Sequence, residues 1–186
     1  KTKSQKAIRI LVIGDEDVGK TCFTESFLKK KYSKKAPGSI DDAVHTVDID
    51  ELPYDLTFSE FNTRKLSPQE QKKVYSGVNV VLVCYSTVDK NSFEYCEKLM
   101  KQTWDIVDNT PILLVGLKKD RRDQRKGKQF VNVQDAEKLA SSYGCKNLDC
   151  SAKTMQGVNQ VFEVAIHEYY KETLKNSGAQ CKCVIM

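Results

Sequence analysis

Gly14-Asp15-Glu16-Asp17-Val18-Gly19-Lys20-Thr21 constrains this chain more than any other stretch. It has the pattern G-x-x-x-x-G-K-[ST]. The apolar run Ile8–Ile13 precedes it, and a segment with Phe23, Phe27 and Leu28 at helical spacing follows. Strand, glycine-rich loop and helix in that order set a row of backbone N–H groups at a helix N-terminus, where anions are favoured. The pattern therefore predicts phosphate binding. The loop amides wrap the phosphates, Lys20 reaches the β and γ oxygens, and the Thr21 hydroxyl ligates magnesium. A glycine-rich turn with an exposed lysine is the alternative, and it needs neither the strand nor the helix.

At 186 residues the chain suits one domain with a proper core. Apolar content of 40% with 30% charged residues reads as globular. No run approaches the roughly 18 apolar residues of a membrane span. The net charge of +5 is mild, and no basic stripe interleaved with aromatics points to nucleic acid. Lysine clusters such as Lys29-Lys30-Lys31 read as solvated surface. Lys1–Lys6 leads into a strand pattern and not into a signal-peptide run, so the seven cysteines are expected as free thiols in a reducing compartment.

Strand and helix patterns then alternate. Strands are expected at Ile8–Ile13, Val78–Tyr85, Pro111–Leu117 and Asn147–Cys150. An antiparallel hairpin of Ala43–Glu51 and Tyr54–Glu60 turns at Leu52-Pro53. Helices are expected at Lys20–Lys31, at Asn91–Val107 capped by Asp89 or Asn91, at Val133–Tyr143 ended by Gly144, and at Val158–Leu174. This order predicts an α/β fold with a mostly parallel six-stranded sheet covered by helices on both faces, and a ligand beyond the carboxyl ends of the strands. Residues 1–175 are read as this domain and 176–186 as a flexible tail.

Two further motifs fall at strand ends: Gly116-Leu117-Lys118-Lys119-Asp120 and Cys150-Ser151-Ala152-Lys153-Thr154. With the glycine-rich loop, they make nearly the whole chain resemble the small GTPases of the Ras superfamily, which have the three-layer P-loop NTPase fold. Gly19-Lys20-Thr21-Cys22-Phe23, Asn109–Gly116 and Lys119–Asp123 look like the Rho/Rac branch. Too few residues follow Asp120 for the extra Rho helix, and Ser151–Thr154 matches Ras wording. The resemblance implies bound GTP or GDP with Mg2+. It places Glu16, Asp17, Val18, Gly19, Lys20, Thr21 and Cys22 around the phosphates. Asp120 would accept from guanine N1–H and N2–H₂, Lys118 would lay its stem over the base, and the Ala152 N–H would meet O6. Ser151, Lys153 and Tyr32 complete the set. Adenine offers no such pair of donors, so a buried carboxylate would go unpaired with ATP. Leu117 stands where the family has Asn or Thr bracing the loop, which predicts weaker affinity.

The catalytic pattern departs from the family. Glu16 replaces a glycine and brings a carboxylate beside the γ-phosphate. In the first switch segment, Pro37-Gly38-Ser39-Ile40 leaves Ser39 as the second magnesium hydroxyl, and Asp41 and Asp42 replace aromatics. In the second, Glu60-Phe61-Asn62-Thr63-Arg64-Lys65 replaces Asp-Thr-Ala-Gly-Gln-Glu. Glu60 is one methylene longer than the family's Asp and is left out of the metal set. Thr63 replaces a glycine. Arg64 stands at the glutamine position and lacks the acceptor needed to orient water. No catalytic residue is matched, and hydrolysis is expected to be slow or absent.

Cys183-Val184-Ile185-Met186 fits the C-a-a-X farnesylation pattern, with Cys181 a candidate for S-palmitoylation as the second signal. These features predict a lipid-anchored guanine-nucleotide switch at the cytoplasmic face of a membrane, the plasma membrane first. Its partners would be exchange factors and effector proteins. The competing readings are a non-hydrolysing interaction module on the same fold and a P-loop kinase. Asp120 and the tail speak against the kinase.

Overall fold

A computed structural model describes residues 7–33, 43–49, 51–124 and 130–176. In chain order the elements are β1 (Ile8–Gly14), α1 (Lys20–Lys29), β2 (His45–Ile49), β3 (Leu52–Phe61), a 3-10 turn (Thr63–Lys65), α2 (Pro68–Tyr75), β4 (Val80–Ser86), α3 (Lys90–Ile106), β5 (Ile112–Leu117), α4 (Lys119–Gln124), α5 (Val133–Ser142), β6 (Lys146–Asp149) and α6 (Val158–Asn176). The six strands form one sheet in the order β2-β3-β1-β4-β5-β6. Every pairing is parallel except the β2–β3 hairpin. The expected α/β fold is the one observed.

Continuous apolar strands are buried on both faces because their side chains alternate. β1 sends Ile10 and Val12 to one core and Leu11 and Ile13 to the other. β4 divides Val80, Leu82 and Cys84 from Val81, Val83 and Tyr85 in the same way. The first core is closed by Phe23 and Phe27 of α1 and by Val161 and Phe162 of α6. The second is closed by α2, α3 and α5 through Val74, Phe93, Leu99, Met100 and Ala136. Among the described residues, no helix is long and apolar enough to cross a membrane. Cys22, Cys84, Cys96, Cys145 and Cys150 are free thiols, as expected.

The hairpin turn is not at Leu52-Pro53. Ile49 pairs with Leu52 and Asp48 with Pro53, so both residues lie in β3 and the reversal precedes them, with Glu51 at φ 64°. A two-residue loop closes on a hydrogen-bonded pair, so the next pair points its amides outward. Pro53 sits at that next pair, before β3 meets β1 at Leu56, and its missing N–H costs no ladder bond. α1 ends at Lys29, not Lys31, because Lys30 adopts a left-handed cap that donates to Phe27 O. Asp89 caps α3, accepting from Asn91 N at 3.0 Å. The last strand lies one residue earlier than expected, at Lys146–Asp149.

Two helices were not foreseen. Among the described side chains of α2, Val74 and Tyr75 alone are buried, too few to show a helical period. Its signal was Ser67-Pro68-Gln69-Glu70, a capping box with proline in the first turn. α4 reads Lys-Asp-Arg-Arg-Asp-Gln and has no apolar face at all. It is held by contacts with Asp149, Cys150 and Ser151 at the end of β6. Ser39, Cys181 and Cys183 lie outside the described residues.

Candidate functional site

Two glycines shape the loop after β1. A Cβ on Gly14 would lie 2.3 Å from the Cys84 carbonyl oxygen, so only glycine lets the chain leave the sheet here. Gly19 enters α1 at φ 109°, a conformation that side chains disfavour. Lys20 Nζ folds back along the loop, donating to Gly14 O at 3.1 Å and to Asp15 O at 2.6 Å. One residue into α1, Thr21 Oγ1 donates to Glu60 Oε2 at 2.8 Å. The other carboxylate oxygen, Glu60 Oε1, is buried and has no hydrogen-bond partner. Register explains the meeting: Glu60 pairs with Val12 of β1, so β3 delivers its carboxylate beside the glycine-rich loop. Hydroxyl and carboxylate oxygens with an unused lone pair suit a hard cation that keeps most of its ligands as water or phosphate. The extra methylene of Glu60 therefore does not remove it from the site; it makes contact with Thr21.

Beyond the carboxyl ends of β1, β5 and β6 lies a cavity of about 160 Å³. Val18, Gly19 and Cys22 form one wall, Lys118 and Asp120 a second, Ala152 and Lys153 a third, and Tyr32 joins them at the rim. Three segments far apart in sequence are thus brought together as expected. They are also tied to one another. Lys118 stands at φ 62° and donates its Nζ to Asp17 O, with its Cε 3.5 Å from where a Cβ on Gly19 would be. Ser151 Oγ donates to Asp120 Oδ1 at 2.7 Å, with both residues buried, and Lys119 N donates to Cys150 O at 3.0 Å. Burial, followed by the nearby Arg121 charge, holds the Lys118 ammonium below its ordinary range. Burial, followed by Glu25, pushes the Cys22 thiol up. Leu117, the residue that cannot brace the loop by hydrogen bonds, is buried in the first core. Lys118 supplies a brace from the neighbouring position.

The segment after β3 is also well defined. Arg64 reaches the glycine-rich loop, donating Nε to Asp15 Oδ1 at 2.8 Å and Nη2 to Asp15 Oδ2 at 2.7 Å. Its guanidinium lies 3.9 Å from the centre of the Tyr95 ring. Thr63 is buried, with its hydroxyl 2.7 Å from Tyr95 OH. Arg64, at the glutamine position of the family pattern, pairs here with a carboxylate of the chain itself. Glu16 is exposed on the loop.

The sequence reading left Glu60 out of the metal set and missed three contributors: Asp15, Tyr95 and an ion pair between Arg122 and Asp149. In that pair Arg122 Nη1 lies 2.6 Å from Asp149 Oδ2, and Tyr85 OH donates to Asp149 Oδ1 at 3.2 Å. It fastens α4, which carries Asp120, to β6, which leads into Ser151. Burial and the Asp149 charge raise the Tyr85 phenol. No local pattern announces these contacts, because each joins residues dozens of positions apart. Among the described residues, no three His, Cys, Asp or Glu side chains gather into a metal cluster.

A model of the Ras family matches residues 9–171. The chain is also similar to the Ras-like GTP-binding protein RhoL of Drosophila melanogaster, with 29% identity over 184 residues covering 97% of this chain and 96% of the relative. The chain belongs to the Ras family.

Proposed function

We propose that this Ras-family chain is a guanine-nucleotide-binding switch of the Rho/Rac type, lipid-anchored, that binds GTP and GDP with magnesium and hydrolyses GTP slowly or not at all. The observation that carries the reading is the cavity in which the loop at Val18–Gly19, the Lys118–Asp120 turn and the Ala152 loop converge, with Ser151 already orienting Asp120. Ser151 occupies one oxygen of that carboxylate, and the other serves the paired donors of guanine. Lys118 lies over the base with its stem, and its Nζ stays on Asp17 O. Tyr32 closes the rim. Lys20 exchanges its two carbonyl partners for phosphate oxygens.

Thr21 and Glu60 would hold magnesium, with Ser39 as the further hydroxyl named from the sequence. When bound, the ion supplies positive charge to the phosphate oxygens. Slow hydrolysis is supported by the second switch segment. Arg64 replaces the water-positioning glutamine and is engaged by Asp15, and buried Thr63 stands where a glycine N–H must approach the phosphate. The relative's name and the Gly19–Phe23 and Asn109–Gly116 stretches support the Rho/Rac assignment. Membrane attachment rests on Cys183 and Cys181, and exchange factors and effectors follow as partners.

The second reading, an interaction module that keeps the fold without cleaving nucleotide, is favoured by the same Arg64–Asp15 pair. Nucleotide content decides between them, and a hydrolysis assay tests what they share. Mass spectrometry of nucleotide released from purified protein should find GDP or GTP near one per chain. Single-turnover assay of GTP-loaded protein with magnesium should show phosphate release far below the family's ordinary rate. Well-folded protein that carries and accepts no nucleotide refutes the switch.

A further inference from the structure

The contacts of Arg64 reach further than the missing glutamine. Its guanidinium forks onto both oxygens of Asp15, the paired geometry in which Arg–carboxylate bonds are strongest, and its face lies on the Tyr95 ring of α3. The same Tyr95 holds the neighbouring Thr63 through hydroxyl contact at 2.7 Å. Asn62 Oδ1 accepts from Arg64 N at 3.1 Å, and Gln71 Nε2 donates to Leu66 O at 3.1 Å. Ser67 and Glu70 complete a capping box at the start of α2. The stretch 62–71 is thus held by its own caps, by α3 and by the glycine-rich loop. Asp15 also accepts from Glu16 N at 2.9 Å, so the residue that receives Arg64 also shapes the loop.

We infer that Asp15, Arg64 and Tyr95 form a clamp that locks the segment after β3 onto the glycine-rich loop, making its conformation independent of whether the nucleotide carries a γ-phosphate. A segment that orders around a phosphate needs free backbone donors beside it. Here the Arg64 N–H is already used by Asn62, and Thr63 is buried against Tyr95. The ion pair alone would be screened by salt; the half-buried Thr63–Tyr95 hydroxyl contact is screened less. A protein that docks on α2 and the turn before it would meet one surface in every nucleotide state. This inference deepens the guanine-nucleotide reading and rests on it for the comparison between GDP and GTP forms.

Hydrogen exchange on the full chain tests it. Backbone amides of residues 62–75 are followed in nucleotide-free protein, with GDP and magnesium, and with a non-hydrolysable GTP analogue and magnesium. In wild type, exchange in this stretch should agree across the three within about twofold. In Arg64→Gln, and separately in Asp15→Asn, it should quicken by about fivefold or more, as expected when a local opening is freed. A change of about tenfold between the GDP and analogue forms of wild type overturns the inference. So does a folded Arg64→Gln protein whose exchange matches wild type. Arg64 is exposed, so its replacement leaves the core intact should Asp15→Asn fail to fold. A parallel titration with fluorescent GDP separates the two readings. If nucleotide does not bind, guanine-nucleotide function is lost, and the clamp stands or falls on the wild-type and variant proteins alone.

Discussion

Ser151 donates its hydroxyl to Asp120 Oδ1 at 2.7 Å, joining the loop after β6 to the start of α4. Both residues are buried, and Thr154 N in turn donates to Ser151 Oγ at 3.2 Å. A carboxylate taken from water is tolerated only when it is hydrogen-bonded, and this arrangement satisfies one oxygen while leaving the other for a ligand.

Asp120→Ala removes the acceptor proposed for guanine and leaves Ser151 without its partner. Two hydrogen bonds to a charged group are worth about 3 kcal/mol or more together, so GDP affinity should fall by about a hundredfold or more. Titration of fluorescent GDP measures it. A Kd within about threefold of wild type would mean that Asp120 does not read the base.

Thr21→Val keeps the shape of the side chain but removes the hydroxyl that meets Glu60. In wild type, a chelator should speed nucleotide release, because an ion held by Thr21 and Glu60 would add positive charge against the phosphates. In the variant, release should already be fast, and the chelator should add about twofold at most. Stopped-flow release of a fluorescent nucleotide gives both rates. Strong acceleration by chelator in Thr21→Val would remove Thr21 from the metal set.

Cys22 lines the cavity, whereas Cys84, Cys96 and Cys150 are buried. Thiolate is the reacting form, and burial raises these thiols, Cys84 to about 12 and Cys145 to about 11. Near pH 8 alkylation should therefore be slow at Cys145 and climb as pH rises toward that value, whereas Cys84, fully buried, should label only when the core opens. Cys22, raised less and bordering an open cavity, should label first among the described cysteines, and GDP should protect it. Peptide mapping after timed alkylation reads the order, and GDP-insensitive labelling of Cys22 would place the nucleotide elsewhere.

Phe162 stacks on Phe27 at 3.8 Å between ring centres and on Phe23 at 4.9 Å, and meets Phe58 edge-on. Phe162→Ala opens a cavity between α1, α6 and the sheet and should cost about 3–5 kcal/mol, a large part of the 5–15 typical of a domain. The urea midpoint measures it, and a loss below about 1 kcal/mol would show that the core closes over the gap.

Much of this was legible in the residues. β1, β4 and β5 announced themselves as apolar runs because burial on both faces demands it. The loop at Gly14–Thr21 and the motifs at Lys118–Asp120 and Ser151–Lys153 carried their chemistry in short spans. α2 and α4 were not legible as helices, since neither has an apolar period. Leu52-Pro53 misled because proline marks turns far more often than it sits at an outward-facing amide of a strand.

The sequence by itself determined the fold, the glycine-rich loop and the short motifs at Lys118–Asp120 and Ser151–Lys153, because each is set by neighbours within one strand, loop or helix turn. Only the tertiary structure decided what Glu60, Asp15 and Arg64 do. Strand register brings Glu60 to Thr21, and the packing of α3 brings Tyr95 under Arg64, whose fork then closes on Asp15. A side chain's partner across 39 or 49 positions depends on how the sheet and helices are stacked, which no local pattern encodes. The substituted arginine, which in the sequence reads only as a lost glutamine, becomes in the fold a link between the glycine-rich loop and the segment after β3.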